Sequence, residues 1–377
     1  MGVLLVLSCA LIIYGTLYPF GFNFGLHEES VFILLAESAR DHASRGDIIA
    51  NIILFLPFGF FAMQSVLSRV PRPIRLIIVI IAGTAFSIGI ECTQSYLPSR
   101  VVSIYDIAAN TIGTLLGAAF GWKNWRIKLS GFRADGHQHA VFPVLLLCAW
   151  LGSQLFPFVP TLDVQNAKDA LKPLFFGEFL PLNALNSFIV TLIVCQLAQT
   201  LALPGRFRTV LTLLPLAVIA VKPFILGGTI SQAKILGTLL GLSVWRYILS
   251  RIRRNTGILA LLLTAQIVIQ GLSPFVFNSN RGNFSFIPFT GFMHGSMLIN
   301  VLSFIEKGFL YGALIWLLVK IGLRLRFSMI LSVALLTGIE IMQMFQPGRV
   351  SEITDPILVI ILGFFLYFTE KAEPGTA

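Results

Sequence analysis

Charge is scarce in this chain. Only 12% of its 377 residues are Asp, Glu, Lys or Arg, against 56% hydrophobic ones, a balance that excludes an ordinary soluble domain and fits a polytopic membrane protein. The period-2 alternation of barrel strands is missing too, so helices are the expected spanning structure, since backbone groups in lipid must be satisfied within each segment. The four cysteines, Cys9, Cys92, Cys148 and Cys195, have no CxxC spacing and lie in apolar runs, where they read as small buried hydrophobes. His137 and His139 have no metal-ligand set around them, and no metal or cofactor is expected. Basic patches with interleaved aromatics are absent, which argues against nucleic acid as a partner. The first apolar run lacks the basic flank of a secretory signal and is expected to remain as a helix.

What is present is a series of long apolar runs. Stretches of about 17–25 apolar residues give twelve candidate spans, near 3–20, 48–67, 74–96, 104–121, 141–157, 184–203, 209–226, 230–249, 257–277, 297–319, 327–345 and 354–369. Basic residues set their orientation. Alternate loops and the C-terminal tail carry 17 of the 27 Lys and Arg, including Arg69, Lys123, Arg206, Arg251, Lys320 and Lys371, while 14 of the 17 acidic residues fall on the other side. By the positive-inside rule both termini face the cytoplasm, and the net charge of +10 reflects that asymmetry.

Inside the apolar sequence a polar pattern is written twice: Glu91, Gln94, Arg100 and Asp106, then Glu340, Gln343, Arg349 and Asp355, each pair displaced by the same 249 positions. The register reaches back to Asn51 and Asn300, and ten of the twenty-two residues from Ala85 to Asp106 recur identically. A third frame is visible in Tyr18-Pro19-Phe20, Phe156-Pro157-Phe158 and Ser273-Pro274-Phe275, each closing an apolar run, and in GTLLG at Gly113–Gly117 and Gly237–Gly241. The expected fold is therefore an all-α membrane bundle of about twelve helices in three parallel four-helix repeats, over residues 1–135, 136–255 and 256–377. The middle repeat has Lys222-Pro223 where the polar pattern would fall. In the third, Asp47 is replaced by Ser296 and Asn110 by Val359, so the first repeat carries the complete set.

Helical spacing places Asp47 with Asn51, Glu91 with Gln94, and Asp106 with Asn110 on shared faces, all at the outer membrane surface. Carboxylates near one Arg, with carboxamides beside them, can coordinate a cation, hold an amine-bearing headgroup or pass a proton. The charges of Asp47, Glu91 and Asp106 against Arg100 favour a cationic partner. The same residues also have structural readings: Ser103 with Asp106 forms a capping-box pattern, Asp355-Pro356 a helix start, and Arg100 a neutralising partner for Glu91. No Ser-His, Cys-His or metal-ligand set supports catalysis, so an enzyme is the minority reading.

The run from Tyr18-Pro19-Phe20 through Asp47, Asn51, Phe55-Leu56-Pro57-Phe58-Gly59, Ile90-Glu91, Gln94, Arg100, Ser103, Asp106, Asn110, Gly113 and Gly117 resembles the VanZ-like family. Residues 14–121 carry the likeness fully and 270–369 with the losses given above. The resemblance implies an integral protein of the bacterial cytoplasmic membrane. The founding member of the family is associated with resistance to the glycopeptide teicoplanin, and no catalytic residue carries over. The leading functional expectation is an envelope protein whose outer polar cluster binds or handles a lipid headgroup, a cell-wall precursor or a glycopeptide. Its alternatives are a transporter or flippase of an envelope-related small molecule or lipid, and a purely structural role.

Overall fold

The computed structural model describes residues 2–18, 20–23, 31–38, 45–65, 70–98, 101–122, 141–161, 163–201, 205–252, 254–279, 282–290 and 297–371. Pro19, Arg100, His137, His139 and Ser296 lie outside them. The described chain is almost entirely helical and divides into two compact units, Met1–Lys128 and Leu129–Ala377.

The first unit contains α1 (Gly2–Leu17), α2 (Val31–Ser38), α3 (Arg45–Ser65), α4 (Arg72–Gln94) and α5 (Ile104–Trp122). Proline punctuates it: Pro71 precedes α4, with another proline in the first turn, where a missing N–H costs nothing. The tightest packing joins α3 to α5. Gly113 lies against the Ile52 carbonyl, Gly117 against that of Leu56 and Gly121 against that of Phe60. Each step of four along α5 matches a step of four along α3, so the two helices run parallel. Backbones approach this closely only where Cβ is absent, the small-residue packing typical of helices in lipid.

The second unit contains α6 (Val141–Leu155), α7 (Val164–Phe176), α8 (Pro181–Thr200), α9 (Gly205–Thr212), α10 (Leu214–Val221), α11 (Gln232–Tyr247), α12 (Asn255–Leu272), α13 (Met297–Ile321), α14 (Leu325–Gln343) and α15 (Thr354–Lys371). A short parallel pair of strands, β1 (Phe284–Ser285) and β2 (Ser351–Glu352), joins two of its loops. Gly237 and Gly241 of α11 lie against the Ala184 and Phe188 carbonyls of α8, the same parallel seating as α5 on α3. One apolar core, from Phe142 and Trp150 through Leu192, Leu263 and Leu314 to Leu366, runs through α6, α8, α12, α13, α14 and α15. The expected segments 136–255 and 256–377 thus share a core.

Among the described residues six helices are long and apolar enough to cross a membrane: Asp47–Ser65, Arg72–Gln94, Pro181–Thr200, Asn255–Leu272, Asn300–Ile321 and Leu325–Gln343. A bent pair, Arg206–Thr212 with Leu214–Phe224, makes a seventh if the two form one span. The remaining expected spans are helical but shorter or more polar. Ser8–Leu17, Val141–Leu155 and Thr354–Tyr367 are short apolar helices, α11 has 16 residues, and Asp106, Asn110 and a run of small residues dilute the hydropathy of α5. Within the expected span 209–226 the helix is interrupted: Pro215 follows a break at Leu213, and the two halves are bent by 52°. The amphipathic α7 was not anticipated; Asp163 caps it, accepting from the Gln165 N–H at 3.0 Å. Cys148 is corrected, since it is exposed on α6 while Cys195 is buried.

At Phe20, Phe158 and Phe275 φ is 61°, 60° and 62°, a left-handed conformation rare for a bulky side chain. Each N–H donates three residues back, to the carbonyls of Leu17, Leu155 and Leu272 at 2.8, 2.9 and 2.7 Å. Phe20, Phe158 and Phe275 thus share one backbone conformation and one hydrogen bond at the ends of α1, α6 and α12.

Candidate polar site at one end of the N-terminal unit

Because α3 and α5 run parallel, Asp47 and Asn51 at the start of α3 lie at the same end of the pair as Asp106 and Asn110 at the start of α5. The C-terminal turn of α4, with Glu91 and Gln94, reaches that end as well. Glu91 Oε2 accepts from the Ser103 N–H at 3.0 Å. In a capping box that N–H would go to Asp106 three residues on; here a carboxylate from the neighbouring helix takes it. Gln94 donates to the Thr16 carbonyl at 2.9 Å, tying α4 to α1. Asn110 donates to Ser87 Oγ at 2.9 Å, and Ser38 Oγ of α2 accepts from the Ile104 N–H at 3.0 Å. Glu91, Gln94 and Asn110 are buried, Asn51 and Asp106 half-buried, and Asp47 exposed.

Burial therefore divides the cluster. Glu91 and Gln94 fasten helix ends together, whereas Asp47, Asn51 and Asp106 are presented toward the surface of that end. Asn110 belongs to both groups. Its Oδ1 is fully buried and accepts no hydrogen bond among the described residues, and a buried acceptor without a donor costs about 1–3 kcal/mol.

In the second unit the counterparts make partly the same bonds. The Glu352 N–H donates to Glu340 Oε2 at 2.9 Å, and Gln343 donates to the Gly271 carbonyl at 2.8 Å. The main chain repeats the pattern: Asn23 N–H donates to the Tyr96 carbonyl at 2.8 Å and Asn278 N–H to that of Phe345 at 2.6 Å. The arginine behaves otherwise than as a neutralising partner in this unit. Arg349 Nη2 donates to the Ser273 carbonyl at 2.8 Å, and the cation beside Asp355 is Lys307 at 2.7 Å. The Tyr311 hydroxyl donates to the other Asp355 oxygen at 2.6 Å. Asn300 is half-buried on α13.

Lys307 and Tyr311 are functional-looking residues that the sequence pattern did not single out. The signal was available, as a lysine inside an apolar run at the position where the first unit has Phe58. A pattern search looks for what recurs, and these two residues do not.

Residues 4–125, the segment that holds Tyr18, Asp47, Glu91, Ser103, Asp106, Asn110 and the α5 glycines, match a known family model, VanZ/LLP1. The N-terminal unit is a VanZ-like domain. No curated protein and no solved structure matches the chain. Within the VanZ-like domain the matched segment contains α2 to α5, all but the first two residues of α1, and every polar residue of the cluster.

The interhelical amides give a stability prediction. Replacing Gln94 by Leu in the VanZ-like domain removes the donor to the buried Thr16 carbonyl and should destabilise the protein by about 1–2 kcal/mol. Gln343→Leu should cost a similar amount through Gly271. Melting temperatures of the purified variants in detergent test this; unchanged values would remove the two amides from the account of how α1 joins α4 and α12 joins α14.

Proposed function

We propose that this is a multi-pass protein of the bacterial cytoplasmic membrane, with both termini cytoplasmic. Its VanZ-like domain uses the polar end of α3, α4 and α5, on the outer face, to bind a cell-surface component through a cationic or amine-bearing group: a lipid headgroup, a cell-wall precursor or a glycopeptide such as teicoplanin. The polar pattern from Glu340 to Asp355 represents a second, partial copy of the domain, and residues 136–255 a copy that keeps only the hydrophobic frame.

The observation that carries this reading is the buried, unpartnered Asn110 oxygen next to the half-buried Asp106. Helix capping and helix tethering account for Glu91 and Gln94, but neither needs an acceptor at position 110. A ligand donor does. The third segment has Val359 at the matching position and engages its Asp355 with Lys307 and Tyr311, so it has the outline of the cluster without the unpartnered amide oxygen.

The test is a deletion strain complemented with wild type, Asn110→Val, Glu91→Gln, Arg100→Ala and Asp106→Asn, checked first for membrane abundance and then for glycopeptide and detergent sensitivity. Asn110→Val removes an unpartnered buried oxygen but also the amide bond to Ser87 Oγ; the two effects oppose each other, so it should accumulate near the wild-type level. On the binding reading it nevertheless fails to complement. Full complementation by Asn110→Val and Asp106→Asn together would make the cluster scaffolding. The alternative reading, a transporter or flippase, is favoured by one feature, the bent helix pair α9–α10, since interrupted helices line substrate paths in many transporters.

A further inference from the structure

A cavity of about 300 Å³ lies within the second unit, bounded by α6, α8, α10, α11 and α13. Its polar lining includes Lys222, Lys234, Gln154, Asn186, Thr238 and Glu306. Two lysines against one glutamate leave it with one net positive charge. Lys222 is nine-tenths buried, and its ammonium donates only to the neutral Gln154 Oε1, at 3.0 Å. Among the described residues neither lysine is within ion-pair distance of a carboxylate.

A buried ammonium that makes no ion pair is expensive to hold, and in a membrane protein it marks a functional site by default; Glu306 on the same cavity wall offsets only one of the two lysine charges. The backbone around it is arranged to keep it there. α9 and α10 are bent by 52° at Leu213, and α10 passes into a single tight turn, Lys222–Phe224. Irregular backbone at membrane depth is tolerated where it lines a cavity. Asn166 of α7 then locks the following loop from outside: its amide donates to the Pro223 and Ile225 carbonyls, both at 3.1 Å, and its oxygen accepts from the Gly227 N–H at 3.2 Å. Ser231 caps α11 through the Lys234 N–H, which sets Lys234 at the cavity wall.

The geometry points to an anion-binding site in this cavity, with Lys222 and Lys234 as the charge-pairing groups for a phosphate or similar oxyanion, carried by a lipid headgroup or by a small soluble molecule. Asn186, Gln154 and Thr238 supply the uncharged polar contacts such a group accepts, and the size of the cavity is at the lower end of ligand sites. This site lies in the segment that lacks the VanZ-like polar pattern, and it does not depend on the role assigned to Asp106 and Asn110.

The experiment uses the full-length protein in detergent and in nanodiscs. One arm titrates phosphatidic acid and phosphatidylglycerol against phosphatidylcholine, read by native mass spectrometry. The other titrates inorganic phosphate and pyrophosphate at constant ionic strength, read by thermal shift. Binding in the lipid arm alone identifies a headgroup site, and binding in the soluble arm identifies a free anion; either supports the proposal if it falls about thirtyfold or more in Lys222→Gln/Lys234→Gln and is unchanged in Lys168→Gln on exposed α7.

A second readout separates a ligand site from a structural lysine. With no anion added, Lys222→Gln should melt higher than wild type, because it removes a buried charge that makes no ion pair, while its anion affinity drops; Lys222→Arg should restore affinity. If wild type binds none of these anions above phosphatidylcholine background, or if the double variant binds them equally well, the proposal is overturned. If Lys222→Gln melts lower, Lys222 is a structural donor to Gln154, and the proposal is overturned as well.

Discussion

Gly117→Ala in the VanZ-like domain is expected to prevent the protein from accumulating in a folded form, although it adds one methyl group and raises helix propensity by up to about 1 kcal/mol. A Cβ at this position would sit inside the Leu56 carbonyl and 2.9 Å from the Phe60 backbone nitrogen. Neither is a side-chain end that can rotate away. The helices would have to separate along their whole contact, since Gly113 and Gly59 are seated on backbone in the same way, on Ile52 and Thr114. Overpacking ordinarily costs about 1–3 kcal/mol, and backbone pressed on backbone should bring it to about 3 kcal/mol or more, a large part of the total stability of a typical protein.

Gly89→Ala is the matched control. No heavy atom lies within 4 Å of a Cβ built at Gly89, so it should be neutral or slightly stabilised. Fluorescence-detected size exclusion after solubilisation, followed by melting of whatever is monodisperse, compares the two. Equal behaviour would mean that α3 and α5 do not pack on these glycines. The proposed outer cluster would then fall as well, because it is this contact that brings Asp47 and Asn51 to the end occupied by Asp106.

Asp355→Ala should be the most damaging single polar substitution in the second unit. Both of its oxygens are engaged, one by Lys307 and one by the buried Tyr311 hydroxyl. Removing the carboxylate leaves the tyrosine donor unpaired in the core, at about 1–3 kcal/mol, and strands the lysine. The lysine side chain is 39% exposed, so it can turn its ammonium outward. Its share is discounted accordingly, to about 1 kcal/mol, and the expected total is about 2–4 kcal/mol.

Lys307→Met, which leaves the Tyr311 bond in place, should cost less than Asp355→Ala, and Asp355→Asn should fall between wild type and Asp355→Ala. A double-mutant cycle over Asp355 and Lys307 isolates the pair. If Lys307→Met is as harmful as Asp355→Ala, the tyrosine contributes nothing and the ranking fails. The position-matched Asp106 has Phe58 and Ala62 where these partners stand, so its replacement strands no lysine or tyrosine at those positions. Asp355→Ala should therefore show the loss of the Lys307 and Tyr311 bonds in its melting temperature.

The recurrent part of the site was legible in the residues themselves. Glu91 and Glu340, Gln94 and Gln343 were picked out by spacing, and they make corresponding bonds. What spacing could not give was the partner of each bond. Thr16 and Gly271 contribute only a carbonyl, and Ser103 and Glu352 only an N–H, groups that every residue carries. The capping-box spacing of Ser103 and Asp106 likewise did not reveal that a carboxylate from α4, Glu91, reaches the Ser103 N–H. The role of Lys307 was hidden because it occurs once.

The sequence by itself determined that this chain is a helical membrane protein and that its first third is VanZ-like. Both follow from local quantities, namely the length of apolar runs, the scarcity of charge and the separation of a few polar residues along one helix face. Which helices are long enough to cross, where 209–226 breaks, and how Glu91, Lys307 and Lys222 are partnered were decided only in three dimensions. Each depends on what a neighbouring helix presents at one height, and that is fixed by glycine contacts such as Gly117 on Leu56 and not by any property of the residues concerned.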